Sequence, residues 1–202
     1  MASLRALALC CTLKKSPAPS SSELIAREIL TALADYDVNG DLVRVVDHDV
    51  RFGVSTDEGD GDAWPQLREQ LLAADIFVVT TPIWLGQPSS VLKIVLERLD
   101  AELSETDEVG RLSTYGKVAV LGVVGNEDGA HHVTAEVFQA LNDVGFTIPA
   151  AASTYWVGEA MQGTDYDQAG PKPDTTGAAT KTLAANAAHL ARLLQQQQYP
   201  AS

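Results

Sequence analysis

Hydroxyl groups and lysines are concentrated in residues 12–22, between a predicted strand and a predicted helix. The polar side chains of this segment are Thr12, Lys14, Lys15, Ser16, Ser20, Ser21 and Ser22. A strand-to-helix loop also offers free backbone N–H groups at the positive end of the helix dipole, which suits a phosphate. Plain N-capping of the helix needs only one serine, so the pattern favours phosphate binding. The loop contains no glycine, which excludes a dinucleotide-binding fingerprint and a Walker loop.

Residues 80–90 place one large aromatic side chain among residues that turn the chain. Pro82 and Gly86 favour a turn, and Pro88 stands near the first turn of the next predicted helix. In one interpretation Trp84 covers a flat ligand, which Gly86 allows the backbone to approach closely. In the other, Trp84 fills the core and Ser89 only caps a helix. The loop by itself does not distinguish these two interpretations.

A third polar loop, residues 125–132, has the sequence Gly-Asn-Glu-Asp-Gly-Ala-His-His. A simple turn is the commonest role of such a sequence, and its two acids exclude it as a phosphate site. It lacks the further oxygen ligands of a calcium loop, and the adjacent His131 and His132 have no third metal ligand nearby. We therefore predict no metal site. The alternative to a simple turn is that its backbone N–H groups face a neutral heterocycle.

The elements that must position these loops alternate along the chain. Short apolar runs predict strands at residues 4–12, 42–47, 75–81 and 117–125, with a weaker fifth strand at 145–150. Helical periodicity predicts helices at residues 22–36, 64–74, 89–103, 132–144 and about 175–198. Five such units predict a single doubly wound α/β domain over residues 1–202. The three polar loops then lie at the carboxyl ends of strands, where such sheets bind ligands. Residues 50–62 and 156–177 are predicted to be irregular.

Composition narrows the class of protein. The chain has 202 residues with a net charge of −13 and 46% hydrophobic residues, which predicts a globular protein. The acidic excess argues against nucleic acid and anionic membranes as partners, and no apolar run approaches the roughly 18 residues of a membrane span. The apolar run after Arg5 is too short for a signal peptide. Adjacent Cys10 and Cys11 are expected to be reduced, buried thiols, and the protein is expected to be cytoplasmic.

The predicted site has a cationic, hydroxyl-rich end and an uncharged end with an aromatic cover, which matches one phosphate and one flat polar ring, as in FMN. On the motifs Thr12-Leu13-Lys14 with Ser20-Ser21-Ser22, residues 81–89 and residues 125–131, the chain resembles the flavodoxin-like NAD(P)H-dependent FMN reductase superfamily. The resemblance runs from residue 4 through the last helix. It implies a flavodoxin-like three-layer α/β/α sandwich with a five-stranded parallel sheet in the order 2-1-3-4-5.

The resemblance also implies roles for particular residues. The phosphate would be held by Thr12, Lys14, Ser20, Ser21 and Ser22. The isoalloxazine would be lined by Pro82, Ile83, Trp84 and Gly86, and its pyrimidine side closed by the loop of Gly125, Asn126, Glu127, Gly129 and His131. The first loop departs from the family's Ser-x-Arg pattern by having Thr-x-Lys and a Pro-x-Pro insert, which leaves open which serine meets the phosphate.

The function implied is an FMN-dependent oxidoreductase that passes a hydride from NAD(P)H to a small-molecule electron acceptor. The flavin carries the chemistry, so we predict no catalytic acid–base pair or nucleophile. His131 is either a hydrogen-bond donor to flavin or substrate, or a structural histidine. Glu127 and Asp128 would lower the flavin potential if they lie near the ring.

Two other functions remain open at this point. One is an electron-carrier or regulatory flavoprotein without its own turnover, and the other is the same fold without flavin. Members of the family are usually dimers, so a homodimer is expected. Residues 156–177 are a candidate lid, in which Tyr166 would touch the substrate.

Overall fold

A computed structural model describes residues 3–160, 162–171 and 173–200, and its centre is a parallel sheet. The strands are β1 (Leu4–Cys10), β2 (Val38–Arg44), β3 (Ile76–Trp84), β4 (Gln87–Pro88), β5 (Val118–Gly125) and β6 (Ser153–Val157). Five of them pair in parallel in the order β2-β1-β3-β5-β6, and β4 pairs antiparallel with β3. The two-residue β4 was not expected. Without it, the parallel strands follow the predicted order 2-1-3-4-5.

Five α-helices cover the sheet: α1 (Ser21–Ala34), α2 (Trp64–Leu72), α3 (Ser90–Leu99), α4 (Ala130–Asp143) and α5 (Asp174–Gln196). Helices α2, α3 and α4 pack their buried side chains with one face of the sheet, and α1 and α5 pack with the other. The predicted three-layer α/β/α fold is therefore confirmed. The helix expected to reach residue 103 ends as an α-helix at Leu99, and residues 100–104 continue it as a 3-10 helix.

Two strand predictions were wrong in position, and both concern strands at the edges of the sheet. The second strand spans Val38–Arg44 instead of residues 42–47, and Val45–Asp47 forms a 3-10 turn. The fifth is Ser153–Val157; the expected run at 145–150 contributes only an isolated bridge from Thr147 to Val118. Edge strands have a partner on one side only and carry exposed polar residues, so an uninterrupted apolar run does not identify them.

The central strands bury their side chains on both faces. Every residue of β1 except Arg5 is buried, and the first seven of the eight residues of β5 are buried. Cys10 and Cys11, at the carboxyl end of β1, are free thiols with no exposed surface. Burial raises the pKa of both thiols, so they remain protonated and inert.

Residues 50–62 form an irregular loop, as expected. The prediction for residues 156–177 holds for the described part of 158–173, whereas 156–157 belong to β6 and 174–177 belong to α5. Within the described ranges, none of the helices combines the length and the apolar character that crossing a bilayer requires.

Candidate functional site

A cleft of about 170 Å³ lies at the carboxyl ends of β1, β3 and β5. It brings together ten of the residues predicted from the three loops: Thr12, Lys14, Ser20, Ser21, Ser22, Pro82, Ile83, Trp84, Gly125 and Asn126. These residues come from chain segments more than forty positions apart, and the parallel order of the strands places them side by side. The remaining predicted residues, Gly86, Glu127, Gly129 and His131, do not line this cleft.

The start of α1 supplies the hydroxyl groups at one end of the cleft. Ser20 is the N-cap, and its Oγ accepts a hydrogen bond from the N–H of Glu23 at 3.3 Å. Ser21 and Ser22 occupy the first helical positions, where backbone N–H groups have no partner within the helix. Thr12 Oγ1 accepts a hydrogen bond from the N–H of Lys14 at 3.2 Å. One serine therefore caps the helix, and the others lie at its positive end.

Arg44 supports the backbone of the first loop, residues 12–22, and no sequence pattern identified it. Its side chain is 7% exposed and donates to the carbonyl oxygens of Lys14 at 3.0 Å and Ala18 at 2.9 Å. It also pairs with Glu23. Burial alone would raise the pKa of Glu23, but hydrogen bonds from Arg44 and Arg27 outweigh it and hold that pKa below its ordinary value. The guanidinium thus fixes the shape of the loop, because its donors point at loop carbonyls.

The second loop is a tight hairpin between β3 and β4. Leu85 and Gly86 form the turn with φ of 53° and 74°, a backbone conformation that Gly86 adopts without strain. Trp84 is 54% exposed and lines the cleft, so it is not a core residue. Ser89 is the N-cap of α3, since its Oγ accepts from the N–H of Leu92 at 3.1 Å. The interpretation of Ser89 as a helix cap is therefore confirmed, the interpretation of Trp84 as a core residue is wrong, and a ligand-covering role for Trp84 stays a prediction.

Ser89 has a second contact that connects two loops of the site. Its Oγ donates to the carbonyl oxygen of Cys11 at 2.6 Å, and its N–H donates to Thr81 Oγ1 at 3.0 Å. Ser89 is 1% exposed, so these hydrogen bonds form away from water, where their loss is costly. They fix the start of the first loop relative to the second.

The third loop packs directly against the hairpin. Glu127 Oε1 accepts a hydrogen bond from the N–H of Leu85 at 2.8 Å. Gly129 has φ of 131°, and a Cβ at this position would lie 2.9 Å from the Cα of Gly86. The close approach of the two loops therefore requires a glycine at position 129. The structure therefore gives Glu127, Gly86 and Gly129 a part in holding the hairpin that carries Trp84.

The two histidines at the start of α4 have separate partners. His131 Nε2 lies 3.1 Å from the hydroxyl of Tyr155, and the two rings meet edge to face. His132 Nε2 lies 2.9 Å from Gln87 Nε2 and 3.7 Å from Glu136. Throughout the described ranges, no group of three or more His, Cys, Asp or Glu side chains is placed to hold a metal ion.

Five further residues line the cleft: Leu13, Val124, Trp156, Asp165 and Tyr166. Tyr166 is 2% exposed, its hydroxyl donates to Glu28 Oε2 at 2.6 Å, and its ring lies 5.3 Å from that of Trp156. Burial raises its pKa. Asp165 lies 3.7 Å from Lys14 Nζ and accepts from Asn126 Nδ2 at 3.4 Å. The sequence indicated that residues 156–177 could cover the site, but no motif identified the aspartates of this segment as site residues.

The chemistry of the lining groups fits FMN. One end offers hydroxyls, Lys14 and helix N–H groups, which are phosphate ligands. The other end offers Pro82, Ile83 and an exposed indole, which form an apolar wall suited to a planar ring. Asn126 adds an amide at the carboxyl end of β5, with both donor and acceptor capacity.

Fold and site together define a flavodoxin-like α/β protein with an FMN-type cleft at its strand ends. Residues 4–162 match the family model described as NADPH-dependent FMN reductase. The chain belongs to this family.

Two relatives cover nearly all of the chain. It is 34% identical over 206 residues to the 8-demethyl-8-aminoriboflavin-5'-phosphate synthase of Streptomyces davaonensis, covering 97% of this chain and 80% of that protein. It is 38% identical over 199 residues to a protein of Mycobacterium bovis named divalent metal cation transporter MntH. That alignment covers 95% of this chain, but the chain spans only 29% of that relative's length.

The structure is similar to that of RosB with bound 8-demethyl-8-formylriboflavin-5'-phosphate, with a TM-score of 0.89 at 34% identity. This similarity covers 97% of this chain and 82% of the RosB chain.

Proposed function

We propose that the protein is an FMN-dependent oxidoreductase that takes a hydride from NAD(P)H and delivers electrons to a flavin, a quinone or a similar small acceptor. The observation that carries the proposal is the cleft itself, which joins a phosphate-binding end to an apolar end with an exposed indole. Family membership and a RosB structure containing a riboflavin-5'-phosphate derivative support flavin as the ligand.

The residues of the cleft have separable roles in this proposal. Lys14 and the serines at the start of α1 bind the phosphate, and Arg44 keeps their loop in shape. Pro82, Ile83 and Trp84 provide the apolar surface for the ring, and the hairpin that carries Trp84 is held by Glu127. When bound, FMN supplies hydride acceptance and electron transfer, so no side chain needs to act as an acid or a nucleophile.

Titration of FMN with fluorescence detection, followed by anaerobic addition of NADH or NADPH, tests the proposal. We expect binding, and bleaching of the flavin absorbance without any other protein. Trp84→Ala should weaken FMN binding by about tenfold, since stacking on an aromatic face contributes about 1–3 kcal/mol. Leu85→Ala is the matched control, because Leu85 is 92% exposed and does not line the cleft.

Failure to bind FMN contradicts the proposal. Binding without bleaching favours an electron carrier instead. Transient dinucleotide binding is consistent with the charges of the cleft, in which Lys14 is the only cationic residue among the lining residues of the described structure.

A second candidate function is chemical conversion of the flavin itself. It is favoured by the 34% identity and the TM-score of 0.89 to RosB, whose bound ligand is named as an intermediate. Flavin released after turnover distinguishes the two functions. An unchanged FMN mass supports the oxidoreductase, and a changed mass supports flavin as substrate.

A further inference from the structure

We infer that Asp165 and Asp167 compete with the ligand phosphate for its binding groups, and that flavin phosphate therefore exchanges at this site instead of staying bound. The inference rests on the proposed function, because it assumes that Lys14 and the α1 serines receive a phosphate. It concerns a property which that function leaves open, namely whether the flavin is a resident cofactor or a ligand that enters and leaves.

Both aspartates contact the groups that the phosphate needs. Ser21 Oγ donates to Asp167 Oδ1 at 2.8 Å, and the N–H of Asp167 lies 3.3 Å from the same hydroxyl. One carboxylate oxygen of Asp165 lies 3.7 Å from Lys14 Nζ, and the other accepts a hydrogen bond from Asn126 Nδ2 at 3.4 Å. One segment of the chain thus occupies donors from two separate loops, residues 12–22 and 125–132, and it does so with two anionic groups.

A ligand phosphate cannot share these donors with the carboxylates at low cost. A phosphate monoester carries about −1.5 to −2 charges at neutral pH. Two unit charges 4 Å apart repel by about 1 kcal/mol even in a fully aqueous dielectric. Arg44 does little to offset this repulsion, since its charge is already paired with the carboxylate of Glu23. The carboxylates and the phosphate therefore compete for the same donors, at a cost to the affinity for phosphate.

The contacts of the aspartates are of a kind that can be exchanged. The Lys14 and Asp165 side chains are 53% and 40% exposed, and an exposed ion pair contributes only about 0–1 kcal/mol. Between the two aspartates, Tyr166 is buried and held by Glu28. The buried tyrosine keeps the segment close to the cleft while the carboxylates on either side can release the donors. This arrangement lowers the affinity for a phosphate without abolishing it.

The test compares FMN with riboflavin, which has the same ring and polyol but no phosphate. Dissociation constants are measured for the wild type, for Asp165→Asn/Asp167→Asn, and for the control Asp41→Asn/Asp60→Asn. The control removes the same two charges from exposed side chains that do not line the cleft. We expect the site variant to bind FMN about tenfold more tightly, with slower release in stopped-flow experiments. Riboflavin affinity should change less than twofold, and the control should resemble the wild type.

Each other outcome is decisive. If the site variant binds FMN no better than the control, the inference is wrong while the proposed function stands. If it binds both FMN and riboflavin more weakly, the aspartates bind the polyol chain, and the inference is wrong again. If neither the wild type nor the site variant binds FMN, the proposed function fails together with the inference. If only the site variant binds FMN, the competition is stronger than we infer.

Discussion

Residues 50–62 and the described part of residues 158–173 are both irregular, acidic and glycine-containing, yet they are held in different ways. Residues 50–62 close around Arg98 of α3, which is fully buried and pairs with the fully buried carboxylate of Asp62 at 2.7 Å. Residues 158–173 contact the cleft through the buried Tyr166 and through Asp165, whose ion pair with Lys14 spans 3.7 Å between side chains that are 40% and 53% exposed. Similar composition therefore accompanies a buried ion pair in one loop and an exposed, replaceable ion pair in the other.

Arg98 makes further contacts that explain the difference. It donates to the carbonyl oxygens of Ser55 and Arg51 at 3.0 Å each, and its guanidinium lies 5.6 Å from the ring centre of Trp64. A single buried side chain thus satisfies backbone groups along the loop, which has no strand or helix partner of its own. Residues 158–173 have no equivalent buried cation among their described contacts. Its carboxylates can therefore release their partners when a ligand arrives, while the buried Tyr166 keeps the segment in place.

The largest expected effect is the loss of the buried anchor. Asp62→Ala leaves Arg98 buried without its counter-charge, and breaking such a pair costs about 3–5 kcal/mol. Urea denaturation should show this loss in the free energy of unfolding. Asp60→Ala in the same loop is the control, since Asp60 is exposed, and it should change stability by less than about 0.5 kcal/mol. A similar small change for Asp62→Ala would remove the distinction between the loops.

Acid should weaken the same anchor in a defined range of pH. Burial alone would raise the pKa of Asp62, but backbone N–H groups of Glu58 and Trp64 together with Arg98 lower it to about 2 from 3.8. A carboxyl with a depressed folded-state pKa stabilises fully above its unfolded value, and this contribution is lost as pH falls from about 4 towards 2. The stability difference between wild type and Asp62→Asn should therefore be about 1 kcal/mol smaller at pH 3 than at pH 6. A constant difference would contradict this.

The smallest effect on stability is expected in residues 158–173. Asp165→Ala removes an exposed pair and should change the free energy of unfolding by less than about 0.5 kcal/mol. Thermal unfolding of the variant beside the wild type, without ligand, measures it. A loss comparable to that of Asp62→Ala would mean that this loop is also a structural anchor, which is incompatible with its carboxylates exchanging for a phosphate.

The features that could be predicted correctly from the sequence are those that depend on residues close together in the chain. Strands β1, β3 and β5 are apolar on both faces, and the helices follow their periodicity, so the fold class and the position of the three loops could be predicted. The edge strands β2 and β6 could not be placed, because half-exposed strands lack an apolar run. Likewise, the ten predicted cleft residues lie in or near segments that the local pattern identified, namely the carboxyl ends of β1, β3 and β5 and the start of α1.

Other parts of the site depend on contacts between distant segments. Nothing near Arg44 or Asp165 in the sequence indicates that the first supports residues 14–18 or that the second reaches Lys14 and Asn126. Glu127 was assigned to the ring because of its position in the third loop, whereas its carboxylate accepts a hydrogen bond from Leu85. Flavin contacts, the homodimer and the nature of the electron acceptor remain predictions.

The two adjacent thiols at the end of β1 have a practical consequence. The chain contains only two cysteines, and both are completely shielded from solvent and protonated. A maleimide dye should therefore not react with them in the native protein. It should react only with a cysteine introduced at the surface, for example by Leu85→Cys at the hairpin tip. Site-specific labels for following loop movement can thus be attached without first replacing any native residue.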